Sequence, residues 1–369
     1  MPKQPICAFT GDNHLRPQTW AKHPSLFGDA YESWRQIITQ CETRRLPLVI
    51  LGDLFDSTRP DSYSVGVYLH GLTRMEQARL AVYYIEGNHD VADPPWASLT
   101  PWARPVRRFT LGDIQFYGLS FVSSALLPEE LSRIPVGTRV LLSHQSWLEI
   151  QRVGHTDGQF GMIPHGLTML VADYHVCGTY NGKAGNGEDV IAYSPGSTAM
   201  QALNEPQDKY FGILYDDLSV EWVKLETRPC VLVACNTMEE LDDLVARIPA
   251  GLTTAQPFCP DIRKPILRIR YNDTLPEAFS RFTAAAGEQY HLFLEPQRQL
   301  TTQVIDIEAV AQTSFQSLVT AIGELCAPDS PEHQAARRLL ESNTPQQELE
   351  TIFKEYLAAH ASTQPTPVT

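Results

Sequence analysis

The amino-acid sequence predicts an α/β protein: a two-sheet α/β sandwich followed by a small α+β domain and C-terminal helices. In the first part, apolar strand-like segments alternate with helix-like segments, which is typical of βαβ units in a largely parallel sheet. The chain becomes strand-rich after residue 105, and its composition changes again near residue 227. These changes predict domains at 1–227 and 228–302, a helical region at 303–360 and a disordered tail at 361–369.

The first part contains three predicted buried strands, each followed by a polar loop. The segments are PICAFTG (5–11), LPLVILGD (46–53) and LAVYYIEGNHD (80–90). Helices are predicted between them, at 33–44 and 65–80, where apolar residues recur at helical spacing. Because ligands of open α/β sheets bind at the carboxyl ends of the strands, the polar loops are the expected site.

The second sheet is predicted from further strand-like segments, several of which alternate apolar and polar residues. Gly112-Asp113 and Asp216-Asp217 are expected hairpin turns. The segment DYHVCG (173–178) is predicted as a buried strand that runs into a turn at Gly178.

The segments after residue 227 predict the small domain and then amphipathic helices. Residues 228–248 indicate a strand followed by a helix, and residues 263–296 indicate a strand, a helix and a strand. Ser330-Pro331 and Thr344-Pro345 are typical helix starts. The apolar face of these terminal helices needs a partner, either the domain body or another protein.

The composition limits the classes of function. The net charge of −14 argues against non-specific nucleic-acid binding by the surface as a whole, although basic residues cluster at 104–108 and 261–271. We expect no membrane span, because no apolar run of about 18 residues occurs. The N-terminus reaches charged residues too soon for a secretory signal. Seven scattered cysteines predict reduced thiols in a cytoplasmic protein.

Four short polar blocks, each at a predicted strand end, indicate a metal site. They are GDNH (11–14), GDLFD (52–56), GNHD (87–90) and LLSHQ (141–145). Their side chains form a mixed oxygen and imidazole set that suits manganese, iron or zinc rather than calcium. A carboxylate at the mouth of the central strand can bridge two ions about 3.5–4 Å apart. Each block alone is a common turn, so the prediction depends on all four occurring in order.

These blocks resemble the ordered motifs D-x-H, G-D-x-x-D, G-N-H-D and a later His of the calcineurin-like metallophosphoesterases. The segments GDNHL, GDLFD and YSPGSTAM (193–200) resemble more closely the SbcD-type nucleases of DNA double-strand-break repair. So does the order of parts: a metallophosphoesterase domain, a small α+β capping domain and C-terminal helices. The resemblance covers roughly residues 5 to 300.

The resemblance implies two divalent metal ions, with Mn²⁺ preferred and Mg²⁺ as the alternative. Asp12, His14 and Asp53 would hold the first ion. Asp53, as a bridge, would hold the second ion together with Asn88 and His144.

Three neighbouring residues would assist the chemistry rather than bind metal. His89 would donate a proton to the leaving oxygen, and Asp90 would hold His89 by a hydrogen bond. Asp56 would orient the ligands. Turn capping is the alternative role for Asp56 and Asp90.

The last motif departs from the family pattern G-H-x-H. The aligned segment DYHVCGTYN presents Thr179 and Asn181 as the candidate ligands. Asn181 still offers a carbonyl oxygen, whereas the neutral hydroxyl of Thr179 is a poor ligand, so weak occupancy of the second site is expected. The rival segment GHTD (154–157) has no clean apolar strand before it. Whether His155 or His175 replaces a lost ligand stays open.

The resemblance implies a metal-dependent DNA exonuclease or endonuclease, the nuclease subunit of an SbcCD-like DNA end-processing complex. Its C-terminal helices would bind an SbcC-like SMC-family ATPase, and helices at 26–45 and 65–80 would form a homodimer. The capping domain and its basic strand RKPILRIR would guide DNA. The alternatives are a catalytically weakened scaffold that binds DNA or the ATPase, and a phosphodiesterase of small molecules.

Overall fold

The computed structural model describes residues 3–17, 26–92, 95–96, 101–151, 156–252, 264–287 and 289–297, with single positions at 334, 338 and 351. The chain divides into two compact units, Met1–Gln297 and Arg298–Thr369. The helices and tail predicted after residue 302 lie outside the described residues, apart from the three single positions. All elements below belong to the first unit.

The first sheet has six strands: β1 (Pro5–Thr10), β2 (Leu48–Ile50), β3 (Val82–Tyr84), β4 (Ala103–Pro105), β11 (Lys209–Tyr215) and β12 (Val220–Leu225). Their order across the sheet is β12-β11-β1-β2-β3-β4. Strands β1 to β4 are parallel, and β11 is antiparallel to both of its neighbours. The parallel part therefore brings the polar segments after β1, β2 and β3 to one edge.

The second sheet has the strands β5 (Arg108–Leu111), β6 (Ile114–Leu119), β7 (Val140–His144), β8 (Leu167–Ala172), β9 (Gly178–Lys183) and β10 (Asp189–Ser194). Their order is β5-β6-β7-β8-β10-β9, with β6, β7, β8 and β10 parallel. The predicted hairpin turns at 112–113 and after β11 are confirmed by the antiparallel pairs β5–β6 and β11–β12.

The two sheets pack face to face. The core between them contains apolar residues of both: Phe9, Val49, Leu51, Ile85, Phe116, Leu142 and Leu170. On the outer face of the first sheet lie α1 (Asp29–Arg44) and α2 (Ser62–Gln77), which bury Trp34, Ile37 and Tyr68 against it. The short helix α3 (Leu127–Ser132) packs on the second sheet. The predicted two-sheet sandwich is confirmed.

A third, three-stranded sheet follows the sandwich. It consists of β13 (Cys230–Cys235), β14 (Ile266–Asn272) and β15 (His291–Gln297), all parallel, with α4 (Met238–Arg247) and α5 (Ala278–Ala286) between them in the chain. A capping box between Thr237 and Glu240 begins α4. Among the helices of the described residues, none is long and apolar enough to cross a membrane.

The predicted strand at 173–178 is wrong. The buried strand β8 ends at Ala172, residues 173–177 are irregular, and Gly178 begins β9 instead of making a turn. Asp173 ends the strand because its backbone adopts a left-handed conformation, with φ of 82°. The apolar appearance of the segment comes partly from Tyr174, whose ring enters the core beside the loop after β7.

Candidate metal centre

A pocket of about 230 Å³ lies where the carboxyl ends of both sheets meet. It is lined by Asp12, His14, Arg16, Asp53, Asp56, His89, Asp173, His175 and Gln201. The loops after β1, β2 and β3 contribute the residues before 90, and the end of β8 contributes Asp173 and His175. His144, the last residue of β7, lies against the same carboxylates. The site therefore joins the first sheet to the second.

Four residues of the site have left-handed backbone conformations: Asp12, His14, Asp53 and Asp173, with φ between 44° and 82°. Residues other than glycine seldom adopt this region, so each position carries local strain. The backbone N–H of His14 donates to the carbonyl oxygen of Asp53 at 2.9 Å, which ties the first loop to the second. These left-handed turns direct the side chains of residues close together in each loop into the same pocket.

Glycine is required at two positions by close approach. A Cβ at Gly52 would lie 2.6 Å from Nδ1 of His144, and Gly52 itself has φ of 90°. A Cβ at Gly87 would lie 2.1 Å from Oδ1 of Asp53. These two glycines let the second and third loops approach each other and the buried carboxylate.

Asp53 has the geometry of a bridging ligand. Its Oδ1 lies 3.5 Å from Nε2 of His144, and its Oδ2 lies 3.7 Å from Nε2 of His14. Ligand atoms of Asp12, Asp53 and His144 lie within 4.8 Å of one another, and so do those of His14, Asp53 and His89. The two groups share only Asp53, so Asp53 is the residue that could contact two ions. They differ from the expected ligand sets, because Asp12 groups with His144 rather than with His14, and His89 groups with His14.

His144 is held with one ring nitrogen available to a metal. Its Nδ1–H donates to the carbonyl oxygen of Leu51 at 2.8 Å, and Nε2 lies 2.9 Å from Oδ1 of Asn88. Burial alone lowers the pKa of His144, but the Asp53 carboxylate outweighs it and raises the pKa to about 10. Burial likewise raises the pKa of Asp53, yet His144 and His14 bring it below its usual value. In the metal-free protein, protonated imidazoles therefore balance the buried carboxylates.

Asp56 contacts His14 and Arg16 at the rim of the pocket. Its Oδ1 lies 3.2 Å from Nδ1 of His14, and its Oδ2 accepts from Arg16 at 2.7 Å. Burial lowers the pKa of His14, but Asp56, Asp53 and Asp12 together raise it above its usual value. Arg16 also donates to Gln201 at 2.7 Å. Asp56 thus contacts the nitrogen of His14 that does not face Asp53.

Asp90 does not contact the His89 ring, contrary to the expectation. It is fully buried, and its carboxylate accepts hydrogen bonds from Leu54 N, Gly87 N and the Tyr84 hydroxyl at 2.7–2.8 Å. It therefore caps the backbone turns, which was the alternative role. The ring of His89 is exposed, with Nδ1 at 3.2 Å from the carbonyl oxygen of Asp56. Its backbone N–H donates to Asp53.

The structure brings Asp173 and His175 to the pocket instead of Thr179 and Asn181. The backbone N–H groups of Asp173 and Tyr174 donate to the Asp12 carboxylate at 2.9–3.1 Å. Burial and the nearby charges of Asp12 and Asp53 raise the pKa of Asp173 to about 6, although His144 opposes this shift. His175 also lines the pocket, and its side chain is exposed.

Thr179 and Asn181 lie on β9 at the far edge of the second sheet. They pair with Tyr193 and Ile191 of β10, and both are exposed. Neither lines the pocket that the other candidates form among the described residues. His155 lies outside the described residues.

Sequence reasoning missed Arg16, Gln201 and Asp173, and it left open whether a lost ligand is replaced by His175. Asp173 and His175 had a usable signal: Asp173-Tyr174-His175 repeats the Asp-x-His spacing of Asp12 to His14, directly after the apolar segment LTMLVA. Gln201 had no such signal, because it contacts Arg16 only in the folded structure.

The donor set fits divalent cations. Asp12 and Asp53 are each 2% exposed and His144 is fully buried, so their charges need a compensating partner inside the protein. Carboxylate, amide and imidazole groups that converge on two positions are the ligands that Mn²⁺, Fe²⁺ and Zn²⁺ accept.

Comparisons with known proteins agree with the fold. Residues 7–178 match the family model of the calcineurin-like phosphoesterases. The chain is also 23% identical, over 252 residues, to the DNA double-strand break repair protein Mre11 of Methanococcus maripaludis. That match covers 58% of this chain and 64% of the relative. The family match and the two-sheet sandwich together show a metallophosphoesterase fold.

Proposed function

We propose that this protein is a metal-dependent DNA nuclease that hydrolyses phosphodiester bonds at the Asp53 centre. The observation that carries the proposal is the pair of possible ligand groups that share Asp53, one with Asp12 and His144 and the other with His14 and the exposed His89. Similarity to a DNA double-strand break repair protein supports DNA as the substrate. Bound divalent ions would polarise the phosphate and supply a hydroxide at neutral pH.

The residues of the chain have separate roles in this proposal. Asp53 would be shared by the two ions, and Asp12, His14, Asn88 and His144 would be the other residues that hold them. His89 holds its Nδ1 toward the Asp56 carbonyl, so Nε2 is the atom that would pass a proton to the leaving oxygen. Asp56 and Asp90 act as positioning residues, one on His14 and the other on the turns around Asp53.

Asp173 and His175 complete the ligand set in place of Thr179 and Asn181. A carboxylate at position 173 would add an oxygen ligand and a negative charge to the site. Oxygen-rich sites favour hard ions, so Mn²⁺ is the proposed metal and Mg²⁺ the alternative. Weakened catalysis was inferred only from Thr179 and Asn181, so this arrangement removes the main support for an inactive scaffold.

The direct experiment is a cleavage assay with Mn²⁺ on linear duplex and single-stranded DNA, beside a His89→Ala variant. We expect cleavage by the wild type and a loss of about 100-fold or more in the variant, since general acid catalysis contributes about 10²–10⁴-fold. Hydrolysis of a small diester without DNA cleavage would favour the small-molecule phosphodiesterase. DNA binding without hydrolysis of either substrate would favour the scaffold.

The basic strand β14 is a weaker guide for DNA than expected. Arg268 and Arg270 both form ion pairs with Glu295 of β15, at 2.7–2.9 Å, and Arg268 is only 8% exposed. Glu295 therefore compensates one of their two positive charges within the third sheet. We propose that DNA is held mainly at the metal centre.

The proposed homodimer would use α1 and α2. Phe27 and Tyr63 are 46% and 57% exposed, and their rings lie 5.9 Å apart beside Tyr31. These aromatic residues line a groove of about 740 Å³ between the two helices. A Tyr63→Asp variant should shift the mass measured by light scattering from dimer to monomer, and an unchanged mass would contradict this interface.

The ATPase partner and its binding by the C-terminal helices stay a prediction.

A further inference from the structure

A buried lysine lies behind the metal centre. Lys209, on β11, is 2% exposed, and its ammonium group contacts Oε2 of Glu205 at 2.7 Å and Oγ of Ser197 at 2.8 Å. A buried ammonium group is costly unless it is paired and hydrogen-bonded. Its position indicates that it holds Glu205 in one orientation.

The Glu205 carboxylate is fixed from several sides. Oε2 accepts from Lys209 and, at 3.0 Å, from the Ser197 hydroxyl, while Oε1 accepts from the backbone N–H of Gln201 at 3.1 Å. The side chain is 6% exposed. Oε1 is left facing Nδ1 of His175 at 3.6 Å.

Among the described residues, Glu205 is the charged partner of the His175 ring. Its side chain is 53% exposed, although it lines the metal pocket. A metal-binding histidine commonly donates its second ring N–H to a carboxylate, which fixes the ring and the nitrogen that faces the ion. The Nδ1–Oε1 separation of 3.6 Å is slightly longer than a hydrogen bond, and a small rotation of the exposed ring closes it.

We propose that Glu205, held by Lys209 and Ser197, is a positioning residue that accepts from Nδ1 of His175 and turns Nε2 toward the metal. This inference rests on the proposed function, because it takes His175 as a ligand. Glu205 lies in the loop before β11, far along the chain from the four polar blocks, and would be an additional residue of the site. Glu205 contacts neither the ion nor the substrate in this role.

The test measures Mn²⁺ binding to the full chain by titration calorimetry, with DNA cleavage as a separate readout. In Glu205→Gln, Lys209 and Ser197 attract the amide oxygen, so the NH₂ group faces Nδ1 of His175. We expect Mn²⁺ affinity about 10–100-fold weaker. Asp208→Asn is the control: Asp208 lies nearby, but its ion pair with Lys224 is exposed, and affinity should stay within about twofold of the wild type.

Two further variants separate positioning from stability. Glu205→Leu with Lys209→Met removes both buried charges, so we expect a melting temperature near that of the wild type with Mn²⁺ affinity still weak. In a His175→Ala background, Glu205→Gln should cause no further loss of affinity, because the positioned ring is absent.

Several results would overturn the inference. They are Glu205→Gln with wild-type affinity, recovery of affinity in the double apolar variant, and an undiminished effect in the His175→Ala background. A wild-type protein that binds Mn²⁺ but does not cleave DNA contradicts the proposed nuclease function alone. A wild-type protein without Mn²⁺ affinity contradicts both.

Discussion

At the residue scale, the buried carboxylate of Asp53 needs the most charge compensation from its neighbours. This carboxylate lies near two other acids, the buried Asp12 and the partly exposed Asp173, and its nearest cationic partners are His14 and His144. Without metal, the imidazoles can balance the carboxylates only when they are protonated. Protons and metal ions therefore compete for the same nitrogen atoms.

This competition predicts the pH dependence of metal binding. Because the pKa of His144 is raised to about 10, an ion must displace its proton at neutral pH, and Mn²⁺ affinity should increase from pH 6 toward pH 10. Titration calorimetry in buffers of different ionisation enthalpy should show proton release. Affinity that is independent of pH across this range would contradict the prediction.

As pH rises, the stability of the metal-free protein should change in the opposite direction to the Mn²⁺ affinity. A raised folded-state pKa for His144 gives stability that is complete below the ordinary histidine value of about 6.5 and is lost as pH rises toward about 10. Thermal unfolding of protein treated with a chelator measures this directly, and His144→Ala should remove much of the pH dependence.

Direct substitution distinguishes the two candidate ligand pairs. Asp173→Asn and His175→Ala should each weaken Mn²⁺ affinity by about tenfold or more, as loss of a ligand should cost at least as much as loss of a residue that orients one. Thr179→Ala and Asn181→Ala are matched controls from exposed positions of β9. Equal losses in both pairs would contradict the assignment of Asp173 and His175.

At the element scale, three loops hold the site, and Asp90 joins two of them. Asp90→Ala would leave Leu54 N, Gly87 N and the Tyr84 hydroxyl buried without their acceptor. Since one unsatisfied buried group costs about 1–3 kcal/mol, we expect a loss of at least about 3 kcal/mol in the free energy of unfolding. Urea denaturation measures it, and Tyr84→Phe, which removes one donor, should cost much less.

The sequence predicted the strands well where an apolar segment was followed directly by the polar residues of a loop. Apolar runs ending in Gly-Asp or Gly-Asn located β1 to β3 and the residues after them. The end of β8 was misplaced because Tyr174 and Val176 prolong the apolar pattern, although Tyr174 belongs to a loop and Val176 is 49% exposed. Contacts such as Arg16 with Gln201 join residues far apart in the chain, and no local pattern encodes them.

At the scale of the whole molecule, a buried ion pair attaches the third sheet to the sandwich. Arg228, just before β13, donates two hydrogen bonds to the Asp29 carboxylate at the start of α1, at 2.9 and 3.0 Å. Arg228→Met should cost about 3–5 kcal/mol of unfolding free energy, because it leaves Asp29 without its buried cation. Arg247→Met, which breaks an exposed pair with Asp243, should cost less than about 1 kcal/mol. Comparable losses in the two variants would contradict this role.

The junction of two sheets at the site has a kinetic consequence. The Asp12 carboxylate accepts from backbone groups of Asp173 and Tyr174, which lie 161 and 162 positions further along the chain. Such distant contacts form only after long loops have closed, so the complete site should assemble late in folding. An ion that binds there stabilises the native state more than the transition state and mainly slows unfolding. The metal would therefore lengthen the lifetime of the folded protein while leaving the folding rate nearly unchanged.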